Sequence, residues 1–243
     1  MEKRHVFVTG AGSGIGEAVA LKFAKYKNTV TLADIDMTKA RDVSQKISCA
    51  GGKTYAVSGN VALRSDVERM FAEAKDNAGS VDILVNCAGI YPSAPIPDVT
   101  DDEWNLVMGI NLRGTFLCSQ IAIKDMIARK KGWIVNIASI DGRVPGPNNS
   151  VYSASKAGVI SLTRSFAAEF THIGLRINAV APGWVGTPNI YKSDRWKDAV
   201  KKIPAGRLAE PYEIADAIYF LCSEQGYYIA GEVLNVNGGM LMN

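Results

Sequence analysis

Residues 5–16, HVFVTGAGSGIG, join a short apolar run to a glycine-rich turn and then to a helical pattern over residues 17–26. The run at residues 5–9 has the composition of a buried strand. Glycines let the backbone turn tightly and approach a ligand closely. The helix that follows presents free N–H groups and the positive end of its dipole, which favour an anion such as a pyrophosphate. The spacing GxxxGxG alone is weak evidence for a nucleotide, because a tight strand-to-helix turn also uses glycines.

The alternation of strand and helix continues along the chain. Further strands are predicted at residues 29–33, 53–58, 81–85, 133–138, 176–181 and 232–236. Further helices are predicted at residues 38–50, 64–78, 102–129, 152–170 and 211–223. This order indicates βαβ units and a parallel sheet, and the continuous apolar runs indicate strands covered on both faces. With no linker or shift in composition, residues 1–243 are expected to form one doubly wound α/β domain of about seven strands.

The composition argues against several classes of protein. The 243 residues are 47% hydrophobic and 21% charged, as in ordinary globular domains. A net charge of +3 is too small to indicate nucleic acid or an anionic membrane as a partner. Four scattered cysteines, without a CxxC pair, and two histidines argue against a metal site. The chain shows no signal-peptide pattern and no uninterrupted apolar run of ~20 residues, so a reduced, cytoplasmic protein is expected.

Residues that follow the predicted strands are candidates for binding, because ligands of doubly wound sheets bind at the carboxyl ends of the strands. Asp34 follows the second strand, and its carboxylate can accept hydrogen bonds from both adenosine ribose hydroxyls. It would repel a 2′-phosphate, and no Arg or Lys lies in the glycine turn or directly after Asp34, so NAD is favoured over NADP. Asp34 could instead cap a helix, although Asp36 is the better candidate. Asn60 and Val61, after the third strand, could meet adenine or close a turn.

Three side chains near the fifth strand could perform acid–base chemistry. Ser139 stands at the strand end, and Tyr152 and Lys156 share one face of the next helix. An ammonium nearby favours the phenolate and lowers the pKa of a tyrosine from its usual value of about 10. Lys156 is therefore expected to make Tyr152 a usable acid–base group, while Ser139 holds the reacting oxygen. YxxxK alone is weak evidence, because both residues are common on helix surfaces.

In this order and spacing, TGAGSGIG, NCAG, Ser139, YSASK and PGWVGT resemble the short-chain dehydrogenase/reductase family. The likeness runs from Val6 to the final NVNGG. It implies a Rossmann-type fold, a nicotinamide cofactor and hydride transfer at an alcohol or ketone carbon. By this resemblance Tyr152 is the acid–base group, Lys156 lowers its pKa and holds the nicotinamide ribose, and Ser139 positions the substrate oxygen. Asn111, in MGINLRG, matches the asparagine that helps anchor a water-linked proton relay.

The resemblance also assigns residues to the cofactor. These are Gly10, Ser13, Gly14, Ile15, Gly16, Asp34, Asn60, Val61, Asn86, Ala88, Gly89, Tyr152, Lys156, Pro182, Gly183, Val185 and Thr187. Three positions depart from the family pattern. Cys87 replaces an asparagine that steadies the sheet, Asn60 replaces an aspartate, and Asn237 replaces the aspartate of a DGG motif. None of the three touches the hydride-transfer chemistry.

A substrate pocket is expected beside the catalytic residues. Its predicted lining is Ser139, Asp141, Tyr152, Trp184 and Tyr191. Residues 184–206 lack a clear period and are the candidate for a mobile lid. Aromatic and amide side chains there suit a small, partly polar molecule. The leading expectation is an oxidoreductase that transfers a hydride between NAD(H) and a secondary alcohol or polyol, or its ketone.

Two other functions stay open. A 3-oxoacyl-thioester (acyl carrier protein) reductase has a very similar sequence plan, but that branch usually resembles an NADPH enzyme, which Asp34 opposes. Arg143, Lys192 and Arg195 could supply the basic patch that such a carrier needs. A non-catalytic NAD(H)-sensing protein could use the same fold, although all four catalytic-type residues are present. The family commonly forms tetramers through helices that correspond to residues 102–129 and 152–170, so a homotetramer is expected.

Overall fold

Seven parallel strands form one sheet in the order β3-β2-β1-β4-β5-β6-β7. The computed structural model describes residues 3–192 and 194–242, without the side chain of Arg195. The strands are β1 (His5–Thr9), β2 (Thr29–Asp34), β3 (Lys53–Ser58), β4 (Ile83–Asn86), β5 (Gly132–Ile137), β6 (Leu175–Pro182) and β7 (Val233–Val236). The sequence order reverses between β1 and β4, which makes their carboxyl ends the place where such sheets bind ligands. The predicted doubly wound sheet of seven strands is confirmed.

Eight α-helices of the described chain cover the two faces of the sheet. They are α1 (Gly14–Lys25), α2 (Met37–Cys49), α3 (Arg64–Ala78), α4 (Asp101–Val107), α5 (Thr115–Arg129), α6 (Ser150–Phe170), α7 (Arg195–Val200) and α8 (Pro211–Leu221). Side chains of α1, α2 and α8 pack in one apolar core, and those of α3, α5 and α6 pack in another. Every residue of β1, β4 and β5 is buried, as expected for central strands covered on both sides.

The helix predicted at residues 102–129 is interrupted by a π-helical turn, Met108–Gly114. Gly114 lies so close to Val61 that an added Cβ would come within 2.8 Å of its Cγ2 atom. The Thr115 hydroxyl donates a 2.8 Å hydrogen bond to the Asn111 carbonyl inside this turn. The hydrophobic pattern did not reveal the interruption, because a π turn inserts only a local change of phase. Its consequence is that Asn111 is fully buried and faces the carboxyl edge of the sheet.

The stretch Asp101–Arg129 is long and apolar enough to cross a membrane by length and composition. Half of its most apolar window is buried inside the protein. Leu117, Met126 and their neighbours on α5 pack against the sheet and α3. Burial in a domain core accounts for this apolar character, since core helices pass the same test.

Residues 184–206, predicted to be a lid, contain a short 3₁₀ turn (Ile190–Lys192) and helix α7. Ser193 of this segment lies outside the described residues. The end of the segment is tied to the loop that follows β7, because the Ala205 N–H donates to the Gly238 carbonyl at 3.0 Å. The Ala209 N–H likewise donates to the Trp184 carbonyl at 3.0 Å.

Gly174, in the turn before β6, packs closely against the backbone of Lys130, and a substitution there tests this packing. Its φ of +99° disfavours any other residue, and an added Cβ would overlap the Lys130 carbonyl oxygen. Gly51 has a φ of +76° but open space around it, so it is a matched control. We expect Gly51→Ala to lower the free energy of unfolding by about 1 kcal/mol, from backbone strain alone. Gly174→Ala should cost at least about 2 kcal/mol more, from the clash with backbone. Urea unfolding curves of both variants measure the difference, and equal losses would contradict this account.

Candidate functional site

Two adjoining cavities open at the carboxyl ends of the central strands. The glycine-loop cavity, of about 480 Å³, lies over β1, β2 and β4 and is lined by Gly10, Asp34 and Ala88 among others. The Tyr152 cavity, of about 490 Å³, lies over β5 and β6 and is lined by Ser139, Tyr152 and Gly183 among others. Both cavities are lined by Ile15, Tyr91, Thr187 and Asn189, so they form one cleft.

The glycine loop is held against β4 by a close backbone approach. Gly10 has a φ of +63°, and a Cβ there would come within 2.8 Å of the Ala88 Cα atom. The Thr9 hydroxyl oxygen accepts hydrogen bonds from the N–H groups of Cys87 and Ala88, both at 3.1 Å. At the start of α1, the side chain of Ser13 caps none of the helix N–H groups. These N–H groups can bind a ligand anion, so the loop fits the pyrophosphate of a dinucleotide.

Asp34 lines the glycine-loop cavity and also fixes the loop. Its Oδ2 atom accepts a hydrogen bond from the Gly12 N–H at 2.8 Å, and its Oδ1 atom accepts one from the Asp36 N–H at 3.0 Å. Asp36 caps α2, accepting from the N–H groups of Thr38 and Lys39, which confirms it as the better cap candidate. Lys39 lines the same cavity, a feature that the sequence analysis missed. Lys39 comes from the first turn of α2 and not from the position directly after Asp34.

The other residues assigned to the cofactor differ in their surroundings. Val61 and Gly89 line the glycine-loop cavity with Asn60, whose side-chain oxygen accepts from the Ala62 N–H at 2.9 Å and so closes a turn. Asn86 lines neither cavity. It is buried, and its amide donates to the Asn136 side-chain oxygen at 2.8 Å and to the Ser119 hydroxyl at 3.1 Å. Asn86 therefore ties β4 to β5 and α5 beneath the cleft.

Ser139 and Tyr152 line the Tyr152 cavity, and Lys156, which lines neither cavity, lies behind Tyr152. The side chains of Ser139 and Tyr152 share a hydrogen bond. Lys156 is 5% exposed, and its ammonium donates to the Ile137 carbonyl at 2.7 Å. The Nζ atom lies 5.7 Å from the centre of the Tyr152 ring. A hydroxyl pair for a substrate oxygen thus stands in front of a buried amine.

The pKa of Tyr152 is shifted in the direction opposite to the sequence-based expectation. Burial raises it to about 12, and the hydrogen bond from Ser139 opposes that shift only in part. Burial also lowers the pKa of Lys156 to about 8. The expectation was based on the attraction between phenolate and ammonium alone. It did not include the loss of hydration that both groups undergo on burial. The hydroxyl of Tyr152 is therefore a protonated phenol at neutral pH, suited to donating a proton.

Asn111 uses its side chain to connect three segments. Its amide donates to the Ile90 carbonyl at 2.9 Å and to the Ser155 hydroxyl at 3.1 Å, and its oxygen accepts from the Ile90 N–H at 2.9 Å. The Ser155 hydroxyl in turn donates to the Tyr152 carbonyl at 2.6 Å. Asn111 therefore fixes the start of α6, and with it the position of the catalytic candidates. Its role in a proton relay stays a prediction.

Most of the residues predicted for the substrate and the nicotinamide line the Tyr152 cavity. They are Ser139, Asp141, Tyr152, Pro182, Gly183, Trp184, Val185 and Thr187. The Asp141 N–H donates to the Ser139 oxygen at 3.1 Å, so backbone geometry orients the serine. Asn149, which the sequence analysis did not select, also lines this cavity. Tyr191 does not; it is 52% exposed, and its ring packs edge-on against Trp196 with centres 5.5 Å apart.

Within the described ranges, no group of three His, Cys, Asp or Glu side chains is arranged to hold a metal ion. The basic patch expected for a carrier-bound substrate is not formed by Arg143. One of its nitrogens donates to the Val233 carbonyl at 2.7 Å, which directs the guanidinium to β7. Lys192 lines the glycine-loop cavity, and the side chain of Arg195 lies outside the described part.

The comparisons with known proteins agree with this geometry. A family model described as enoyl-(acyl carrier protein) reductase matches residues 10–241. The chain is 34% identical to the 3-oxoacyl-[acyl-carrier-protein] reductase FabG of Thermotoga maritima, over 100% of this chain and 99% of that one. It is 38% identical to the FabG protein of Staphylococcus aureus, over 98% of both chains.

One further relative and one solved structure are also similar to the chain over nearly its whole length. The chain is 34% identical to the (2S)-[(R)-hydroxy(phenyl)methyl]succinyl-CoA dehydrogenase subunit BbsD of Thauera aromatica, over 98% of this chain and 97% of that one. The crystal structure of gox2181 superposes with a TM-score of 0.96 at 32% identity, over 99% of this chain and 96% of that one. The extent of these matches shows that the chain belongs to the short-chain dehydrogenase/reductase family and is an NAD(P)-dependent oxidoreductase acting on CH–OH or keto groups.

Proposed function

We propose that the protein interconverts 3-oxoacyl and 3-hydroxyacyl thioesters with NAD(H), by means of Tyr152 as the acid–base group. The observation that carries this proposal is the hydrogen-bonded pair of Ser139 and Tyr152 hydroxyls in the wall of the cleft, with Lys156 buried behind them. Two hydroxyls that converge on one side of a cavity can bind a single carbonyl oxygen, which is what reduction of a ketone requires.

The names of the relatives favour a thioester over a polyol. FabG is named for a substrate on acyl carrier protein, and BbsD for a hydroxylated acyl-CoA. The polyol or simple secondary alcohol suggested by the amides and aromatics of residues 184–206 has no comparable support. Because Arg143 is bound to β7, the structure offers a weaker argument for a carrier protein than for a thioester in general.

Each residue of the site has a separate role in the proposed reaction. The nicotinamide cofactor supplies or accepts the hydride. In the reductive direction Tyr152 is a phenol at neutral pH and gives its proton to the carbonyl oxygen as that oxygen gains charge. Ser139 donates a hydrogen bond to the same oxygen. Lys156, with a pKa of about 8, can return a proton toward Tyr152. Asn111, which hydrogen bonds to Ser155 on the same helix, completes the relay that the family resemblance implies.

Asp34 supports NAD(H) as the cofactor. Its carboxylate lies in the glycine-loop cavity, where it can accept hydrogen bonds from a ribose and repels a phosphate. The residues that would hold the dinucleotide are the Gly10–Gly16 loop, Asp34, Ala88 and Gly89, with Lys156 and Thr187 toward the nicotinamide. The free, scattered cysteines fit the reducing interior of a cell, so the proposal includes a cytoplasmic location.

A homotetramer is also proposed, with one interface over α5 and α6. An open groove of about 630 Å³ there is lined by apolar side chains that include Met108, Leu112, Phe116 and Leu162. Apolar surface of this kind is commonly covered by a partner. Light scattering on the purified protein measures the assembly, and a monomeric mass would contradict this part of the proposal.

Tyr152→Phe tests the chemistry. The variant removes the proton donor and keeps the ring, so we expect turnover to fall at least about 10³-fold, while NADH binding changes little. Tyr91→Phe is the matched control, because the Tyr91 ring lines the same cavity, with its centre 6.3 Å from that of Tyr152. Initial rates and NADH titrations of both variants give the answer. Activity retained in Tyr152→Phe would refute the assignment.

A substrate panel tests the class of reaction. Acetoacetyl-CoA, an acetoacetyl pantetheine thioester, simple ketones and polyols would each be assayed with NADH or NAD⁺, and with NADPH or NADP⁺. We expect the two thioesters to give the highest kcat/KM, and NADH to be preferred because Asp34 disfavours the extra phosphate. Selective turnover of a polyol would restore the alternative function. A clear preference for NADPH would show that the role given to Asp34 is wrong.

A further inference from the structure

The side chain of Lys39 lies beside Asp34, where the ribose of a dinucleotide would bind. A Cβ built on Gly12 would come within 2.7 Å of the Lys39 Cβ atom and within 2.9 Å of an Asp34 carboxylate oxygen. The stem of Lys39 therefore packs over Gly12, next to the Asp34 carboxylate. A lysine at this place can reach a phosphate attached to the ribose, since a cation near the end of β2 is how such folds accept a 2′-phosphate.

The Lys39 ammonium is already paired. Its Nζ atom lies 3.3 Å from the Oδ2 atom of Asp36, while the Oδ1 atom of Asp36 caps α2. The pair is open to solvent, with side chains 60% and 40% exposed. Such an exposed ion pair contributes little to stability, so its loss should leave the fold intact. It does, however, set the direction in which the Lys39 ammonium points.

The balance of charge at this corner disfavours a phosphate. Asp34 and Asp36 carry two negative charges and Lys39 carries one positive charge, within six residues of the chain. A 2′-phosphate adds roughly two more negative charges at neutral pH. With Lys39 engaged by Asp36, that phosphate would meet net negative charge. Without the Asp36 carboxylate, the same lysine would be free to pair with it.

We propose that Asp36 is a specificity-determining residue: its carboxylate holds the Lys39 ammonium and thereby excludes NADP(H) from a corner that otherwise contains a phosphate-binding lysine. Asp34 fixes the glycine loop, serves the ribose and repels a phosphate by its charge, whereas Asp36 withholds the lysine that could pair with that phosphate. The inference rests on the proposed placement of the dinucleotide in the glycine-loop cavity. It does not depend on which ketone or alcohol the enzyme uses.

Asp36→Asn is the informative variant, because asparagine keeps an oxygen that can cap α2 and removes the charge. Binding of NADPH and of NADH would be measured by the change in reduced-nicotinamide fluorescence, without any substrate. We expect Asp36→Asn to tighten NADPH binding about tenfold, and to change NADH binding by less than about twofold. The gain should shrink as salt is raised, since the charges are exposed.

The double variant Asp36→Asn/Lys39→Gln separates a freed lysine from a general loss of negative charge. We expect it to lose most of the gain in NADPH affinity. An unchanged NADPH affinity in Asp36→Asn, the same gain with Lys39→Gln present, or an equal gain for NADH would each overturn the inference. Absence of NADH binding to the unaltered protein would refute the proposed cofactor site itself, and the inference with it. Failure to turn over any thioester, with this binding pattern present, would refute only the proposed substrate.

Discussion

The close approach of the Gly10 backbone to Ala88 is the constraint on which the cleft depends. At this point β1 and β4 lie side by side although their sequences are far apart, and a Cβ on Gly10 would come within 2.8 Å of the neighbouring backbone. The Thr9 hydroxyl joins the two strand ends by accepting both N–H groups that follow β4. Because the loop is held here, the first turn of α1 faces the cavity. The binding of an anion by backbone N–H groups then needs no charged side chain in the loop.

A buried lysine, paired with no carboxylate among the described residues, lies behind the other half of the cleft. Lys156 hydrogen bonds to the Ile137 carbonyl, and burial lowers its pKa to about 8. Burial also keeps Tyr152 protonated, so the two groups stand as a phenol and an amine of reduced basicity. Burial of the Lys156 side chain lowers the stability of the fold, because the ammonium loses its hydration. Such perturbed groups are typical of functional sites. When a bound substrate oxygen gains negative charge, this pair can stabilise that charge and donate a proton to it.

The sequence predicted the parts of the structure that follow from local pattern. Apolar runs gave the strands, and the spacing of Tyr152 and Lys156 placed both on one helix face beside Ser139. Contributions from tertiary packing were not predictable. The π turn around Asn111, for example, involves the contact between Gly114 and Val61. Lys39 was missed for the same reason, because only the path of α2 brings it beside Asp34.

The pKa of Tyr152 was also mispredicted because it depends on tertiary packing. The distance of four residues correctly placed the amine near the phenol, but sequence does not report how much water each group loses. Desolvation raises the pKa of Tyr152, which is the opposite of the lowering expected from the nearby amine. The spacing of residues in the sequence can therefore indicate an acid–base role. The direction of the pKa shift can be known only from the burial of each group in the folded protein.

The three departures from the family pattern support the view that these positions need an acceptor or a small volume, and not a charge. Asn60 and Asn237 each use the side-chain oxygen to accept a backbone N–H two residues ahead, as an aspartate would. Cys87 lies where an asparagine is usual, and burial raises the pKa of its thiol to about 12, so it stays neutral beside Lys156. The polar links between β4 and β5 run instead through Asn86 and Asn136, which continue to Thr163 on α6. Since these hydrogen bonds form without residue 87, the substitution leaves the links between β4, β5 and α6 in place.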